Sequence, residues 1–167
     1  DEREASVFLV QANDSESVAA AIPEFNNLKA KFDAAGVEFM MINPMGRSNR
    51  EAVQEKVKEY GVDIPVLMDD ARFISEALGI ERLGEVLIFD PEQFTVEFRG
   101  SVQSAEIALE QVLDDEEISP RVVQTNGMMV NYPQRETPSY VADIAPVLAE
   151  QCASCHREGG VAPFAMD

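Results

Sequence analysis

Three side chains near the carboxyl end carry the recognisable chemistry of this chain: Cys152, Cys155 and His156. The sequence holds two cysteines and one histidine, so its soft nucleophiles and its imidazole all lie within one five-residue window. Two thiols separated by two residues, with an imidazole immediately after, suit covalent haem attachment. The sulfurs add across the two porphyrin vinyl groups and the imidazole ligates iron from the same side. On this reading Cys152 and Cys155 hold haem c and His156 is the proximal iron ligand. Two other uses compete. The pair can close as a disulfide, redox-active or structural, and the thiols can serve a zinc ion, although no second ligand pair exists to complete four-coordination. The sixth iron position has three candidates in Met166, Met128 and Met129. A thioether there raises the potential, while a methionine in an apolar segment equally serves packing.

The elements that must position these groups begin at Ser139. Tyr140, Ile144, Val147 and Leu148 fall at helical spacing, which predicts a helix running straight into Cys152 with its apolar face towards the haem. Eleven residues follow His156, too few to wrap a porphyrin. The remaining cover is therefore expected from a continuation of the chain or from a partner subunit in a larger complex. The chain starts at Asp1, which predicts removal of an N-terminal segment.

Upstream, strands and helices alternate. Strands are predicted at 6–12, 37–42, 64–68, 85–89 and 94–98, each a short apolar run. A helix over 16–35 carries Val18, Ile22, Phe25, Leu28 and Phe32 on one face, with Pro23 predicting a kink or a late start. Ser48, with Glu51 three residues on, predicts a capping box for a helix through Tyr60. Shorter helices follow at about 71–78 and 101–113. The order predicts an α/β domain with parallel neighbours, helices on both faces and an antiparallel hairpin at one edge. Asp114–Glu117 and Pro120 mark a boundary. The organisation expected is a domain over 1–117, a linker over 118–138 with one short strand near 128–130, and a haem-attachment segment over 139–167.

Composition narrows the partners. The 167 residues are 46% apolar and 26% charged, which is ordinary for a globular chain. Thirteen basic against thirty-one acidic residues give a net charge of −18. Such a surface repels phosphate backbones and anionic lipid and attracts a basic partner. No stretch reaches the ~20 apolar residues of a membrane-spanning helix. Acidic pairs such as Asp69-Asp70 lack the spacing of a calcium loop and read as solvated surface.

Four short stretches, in order, carry a family resemblance. They are Ile22-Pro23-Glu24, Pro65-Val66-Leu67-Met68-Asp69, Leu78-Gly79-Ile80 and Phe98-Arg99-Gly100. Together with the element order, they resemble a thioredoxin-like fold of the redoxin or peroxiredoxin type. That family places its reactive cysteine eight residues before the helix-one proline, which here is Ser15, and a second cysteine where Val18 stands. Its cis-proline slot before the fourth strand is filled by Gly84. The resemblance therefore implies a retained fold without the family's thiol chemistry. Residues 140–164 resemble the start of a c-type cytochrome domain of the sort fused behind redoxin-like domains in bacterial exported proteins.

The reading that follows is electron transfer through haem c carried on a redox-silent scaffold. It implies assembly by the cytochrome c maturation machinery, a periplasmic or extracellular location, and a basic redox partner. Two alternatives stand beside it. One is a non-catalytic scaffold module of a larger exported oxidoreductase; the other is a thiol-disulfide oxidoreductase using Cys152 and Cys155.

Overall fold

The computed structural model describes residues 5–46, 48–132 and 137–165. The chain divides into two units, Asp1–Tyr132 and Pro133–Asp167.

The first unit is built on one five-stranded sheet. Its strands are β1 (Ala5–Val10), β2 (Val37–Asn43), β3 (Val66–Met68), β4 (Val86–Asp90) and β5 (Thr95–Gly100), and their spatial order is β3-β2-β1-β4-β5. β1 takes the centre because its apolar run can be buried on both faces, and every residue of it is buried. Alternation sends Ala5, Val7 and Leu9 into one core and Phe8 and Val10 into the other.

Helices α1 (Glu16–Phe32) and α4 (Val102–Leu113) supply the first core. α1 contributes Ile22, Phe25, Leu28 and Phe32, and α4 contributes Val102, Ala105, Ala108 and Leu109. Phe25 meets Phe39 of β2 edge-to-face at 5.8 Å, a pairing that adds about 0.5–1.5 kcal/mol to its burial. α1 starts at Glu16 and continues unbroken past Pro23. The expected late start is absent because Ser15 caps the helix ahead of the proline.

Helices α2 (Arg50–Glu59) and α3 (Phe73–Ala77) connect the remaining strands. The cap of α2 is Asn49, whose Oδ1 accepts from Ala52 N at 3.1 Å. Ser48, the predicted cap, instead lies 3.4 Å from Asn43 Oδ1 and donates to it. A one-residue shift places an equally good capping side chain at the helix start.

The sheet departs from expectation at β4. β1, β2 and β3 are parallel, but β4 runs antiparallel to β1 as well as to β5. The cause is the shortness of α3. Five helical residues rise about 7.5 Å, too little to return the chain to the starting end of the sheet. β4 therefore enters from the end at which β3 leaves.

Residues 118–132, expected as part of a linker, pack on this first unit. Ile118 is buried in the first core and Val130 in the second. Val123 N donates to Arg99 O and Arg99 N to Arg121 O, both at 2.9 Å. The strand expected near 128–130 is a single antiparallel bridge between Met129 and Arg82.

The second unit is a helical run through 140–152. Tyr140–Ile144 and Leu148–Cys152 have wide π-type turns, and Ala145–Val147 between them is α-helical. Pro146 has no N–H to donate within the run. Ser139 opens it reciprocally. Its Oγ accepts from Ala142 N at 3.3 Å, and its own N–H donates to Asp143 Oδ2 at 2.8 Å. No residue of the run is buried.

Candidate functional site

Two places could hold chemistry, one in each unit. The first is the amino end of α1, beside the loop that leads into β4. Ser15 stands at the helix cap, 7% exposed. Its Oγ lies 3.4 Å from Val18 N, which donates to it, and 3.0 Å from Ser17 Oγ. Ser17 Oγ in turn donates to Leu83 O at 3.1 Å. Ser15 is thus engaged as a cap, and no base or imidazole is among its partners. Val18, the second position of interest, is fully buried in core.

Gly84 explains why a side chain is missing from the adjoining loop. Its φ is +78°, and a Cβ built there would lie 2.9 Å from the backbone C and O of Ser17. The loop therefore presses directly on the first turn of α1. Its other side is covered by the chain's own later segment. Leu83 N donates to Met128 O at 2.9 Å, Val130 N to Glu81 O at 2.8 Å and Arg82 Nη1 to Gly127 O at 2.9 Å. Glu85, buried just ahead of β4, accepts from Glu81 N at 2.7 Å and Arg82 N at 3.1 Å, which braces the loop. Nothing in the sequence of 118–132 announces this cover except Gly127, whose missing side chain admits Leu83 O.

The second place is Cys152 to His156. The helical run ends at Cys152, and a tight turn follows in which His156 N donates to Cys152 O at 3.0 Å. Both cysteines are free thiols; Cys155 is exposed and Cys152 partly so. His156 Nδ1 lies 3.1 Å from Phe164 O, and the Phe164 ring is tilted against the imidazole at 4.4 Å between centroids. A carbonyl oxygen only accepts, so this contact makes Nδ1 the donor, which in the neutral tautomer leaves Nε2 its lone pair. Ala162 N donates to Cys155 O at 3.1 Å, bending the tail back over the turn. Phe164 O is a partner that the cysteine–histidine spacing does not reveal.

The second unit exposes several apolar side chains: Tyr140 at 64%, Val141 at 77% and Phe164 at 60%, with Ile144, Val147 and Val161 also exposed. Among the described residues, no three His, Cys, Asp or Glu side chains converge as a metal site. Of the candidate sixth ligands, Met166 lies outside the described residues. Met128 and Met129 belong to the first unit, where their side chains are 61% and 57% exposed.

The first unit matches the AhpC/TSA family over residues 3–105. The chain belongs to that family. No curated protein matches it. Among solved structures, this AhpC/TSA chain is similar to a hypothetical protein from Sinorhizobium meliloti 1021, at 17% identity and a TM-score of 0.66, covering 78% of this chain and 81% of that one. An uncharacterised conserved protein from Geobacillus kaustophilus gives 17% and 0.64, with 79% of each chain covered. A secreted Mycobacterium tuberculosis disulfide oxidoreductase gives 15% and 0.51, covering 64% and 80%. At these identities the likeness establishes the thioredoxin-like α/β fold. On the spacing that the family resemblance implies, Ser15 and Val18 of this AhpC/TSA member would occupy the thiol positions of such a domain.

Proposed function

We propose that this AhpC/TSA member is an exported electron-transfer protein that carries a c-type haem on Cys152 and Cys155, with His156 as the proximal ligand. The observation that carries this reading is the His156 Nδ1 contact to Phe164 O. A second-sphere carbonyl of this kind fixes the tautomer and aims the other ring nitrogen, the arrangement a metal-ligating histidine requires. Two further features support it. The thiols are free at the attachment spacing, and apolar side chains on the same unit offer a macrocycle a dry face. When bound, the haem supplies one-electron chemistry. The chain's own part is to hold the ring by two thioethers, orient the imidazole and exclude water with Tyr140, Ile144 and Phe164. Covalent attachment of haem c is carried out outside the bacterial cytoplasm, so the reading includes export, and a secreted protein is among the structural neighbours.

The test is an intact mass and a pyridine haemochromogen on protein produced with a periplasmic haem-attachment system. The expected result is one haem added, bound through acid–acetone extraction, and lost in Cys152→Ser/Cys155→Ser. Protein that leaves the same system without haem overturns the proposal.

A second reading rests on the same free, accessible thiols: a dithiol that exchanges with disulfides. It predicts loss of two hydrogens on oxidation and reduction of insulin by the reduced protein. It locates that activity outside the usual redoxin site, since Ser15 has no thiolate chemistry.

A further inference from the structure

Between α2 and the outer edge of β3 the first unit holds a groove of about 340 Å³. Val53, Val57 and Val62 form its buried apolar floor, and Val66 and Met68 form one wall. β3 is the edge strand. Met41 N donates to Pro65 O and Asp69 N to Asn43 O, so alternate residues face β2. That alternation turns the N–H and C=O groups of Val66 and Met68 away from the sheet, towards the groove side.

The rim carries charge of unexpected sign. Arg50 and Lys58 both line the groove, against a single carboxylate, Asp63. They stand eight residues apart on α2, a rise of about 12 Å, on the same i, i+4, i+8 row as Gln54 of the lining. The chain has far more carboxylates than cations, and its other lysines are ion-paired: Lys29 to Asp33, Lys31 to Glu106 and Glu110, and Lys56 to Glu59. Among the described residues, Arg50 and Lys58 have no such partner. In a molecule of net charge −18, two unpaired cations over an apolar trough form a local positive field suited to an amphipathic anion.

We infer that this groove binds an aliphatic carboxylate, with the hydrocarbon chain on the three valines and the head group on the cationic rim. The size, apolar floor and few placed polar groups match small-molecule sites in general. All of its lining belongs to the first unit.

The probe is octanoate, titrated into isotopically labelled full-length protein and followed by amide chemical shifts. Saturable shifts are expected at Val53, Val57, Val62 and Val66. Arg50→Gln/Lys58→Gln should weaken octanoate by about tenfold or more, the loss expected for charge-assisted hydrogen bonds. Both side chains are exposed, so the variant should keep its fold, as circular dichroism would verify. Octylammonium should bind more weakly than octanoate in the native protein. Equal binding of octanoate and 1-octanol, unchanged affinity in the double variant, or shifts located elsewhere would each overturn the inference.

Discussion

Single residues decide which chemistry the fold can host. Ser15 keeps the backbone job of its position, capping α1, while lacking the sulfur that would make it reactive. Its hydroxyl hydrogen-bonds with Val18 N and Ser17 Oγ, neither of which is a base. Gly84 is a packing requirement at the same spot, since any Cβ strikes Ser17. Gly84→Ala should therefore destabilise the first unit by about 1–3 kcal/mol, combining a left-handed φ with a backbone clash. Urea denaturation measures this; a change within error would show that the loop can back away from α1. These two positions were legible in the sequence, because the family spacing pointed at Ser15 and Gly84 directly. Phe164 O was not. A backbone carbonyl has no residue-type signature, so its bond to His156 emerges only from three-dimensional geometry.

At the scale of elements, the strands and helices were readable where periodicity and capping agree, as in β1, α1 and α4. The misreadings have local causes. Asn49 and Ser48 are both good caps, so sequence pattern alone chose the wrong neighbour. Strand direction at β4 depended on how far α3 could carry the chain. Residues 118–132 lack periodicity because they hold on by scattered bonds rather than as a regular element. Tyr132 ends that segment, donating its phenol to Ile80 O at 2.7 Å. Burial, followed by the carboxylates of Glu85, Glu76 and Asp69, pushes its pKa up to about 12. The folded form thus holds its proton more tightly than the unfolded chain, whose tyrosines titrate near 10. The contribution of Tyr132 to stability is constant below pH ~10 and is lost as pH rises from there through about 12. Tyr132→Phe should lessen the alkaline decline, to which the raised Lys31 and Lys56 also contribute, read by thermal melts across pH 9 to 12; an unchanged profile would remove Tyr132 from the account. A separate check on the same segment is Gly127→Ala, which should speed hydrogen exchange at the Leu83 amide by releasing its bond to Met128.

For the molecule as a whole, charge is the dominant property. With thirty-one acidic residues and a pI near 4.3, a basic redox partner would be drawn in over a Debye length that shrinks from about 10 Å at 0.1 M salt to 3 Å at 1 M. The association rate measured by stopped flow should drop steeply over that range. A salt-independent rate would remove electrostatic steering from the account.

The terminal unit escapes this protective charge. Its described residues carry three carboxylates and one guanidinium, Asp143, Glu150, Glu158 and Arg157, alongside a run of uncovered apolar side chains. Surfaces of this kind adhere to one another. On the haem reading proposed above, haem-free polypeptide should consequently sediment as oligomers, whereas a haem-loaded form would stay monodisperse. Colloidal behaviour would then report, on that same reading, how much of the protein carries haem.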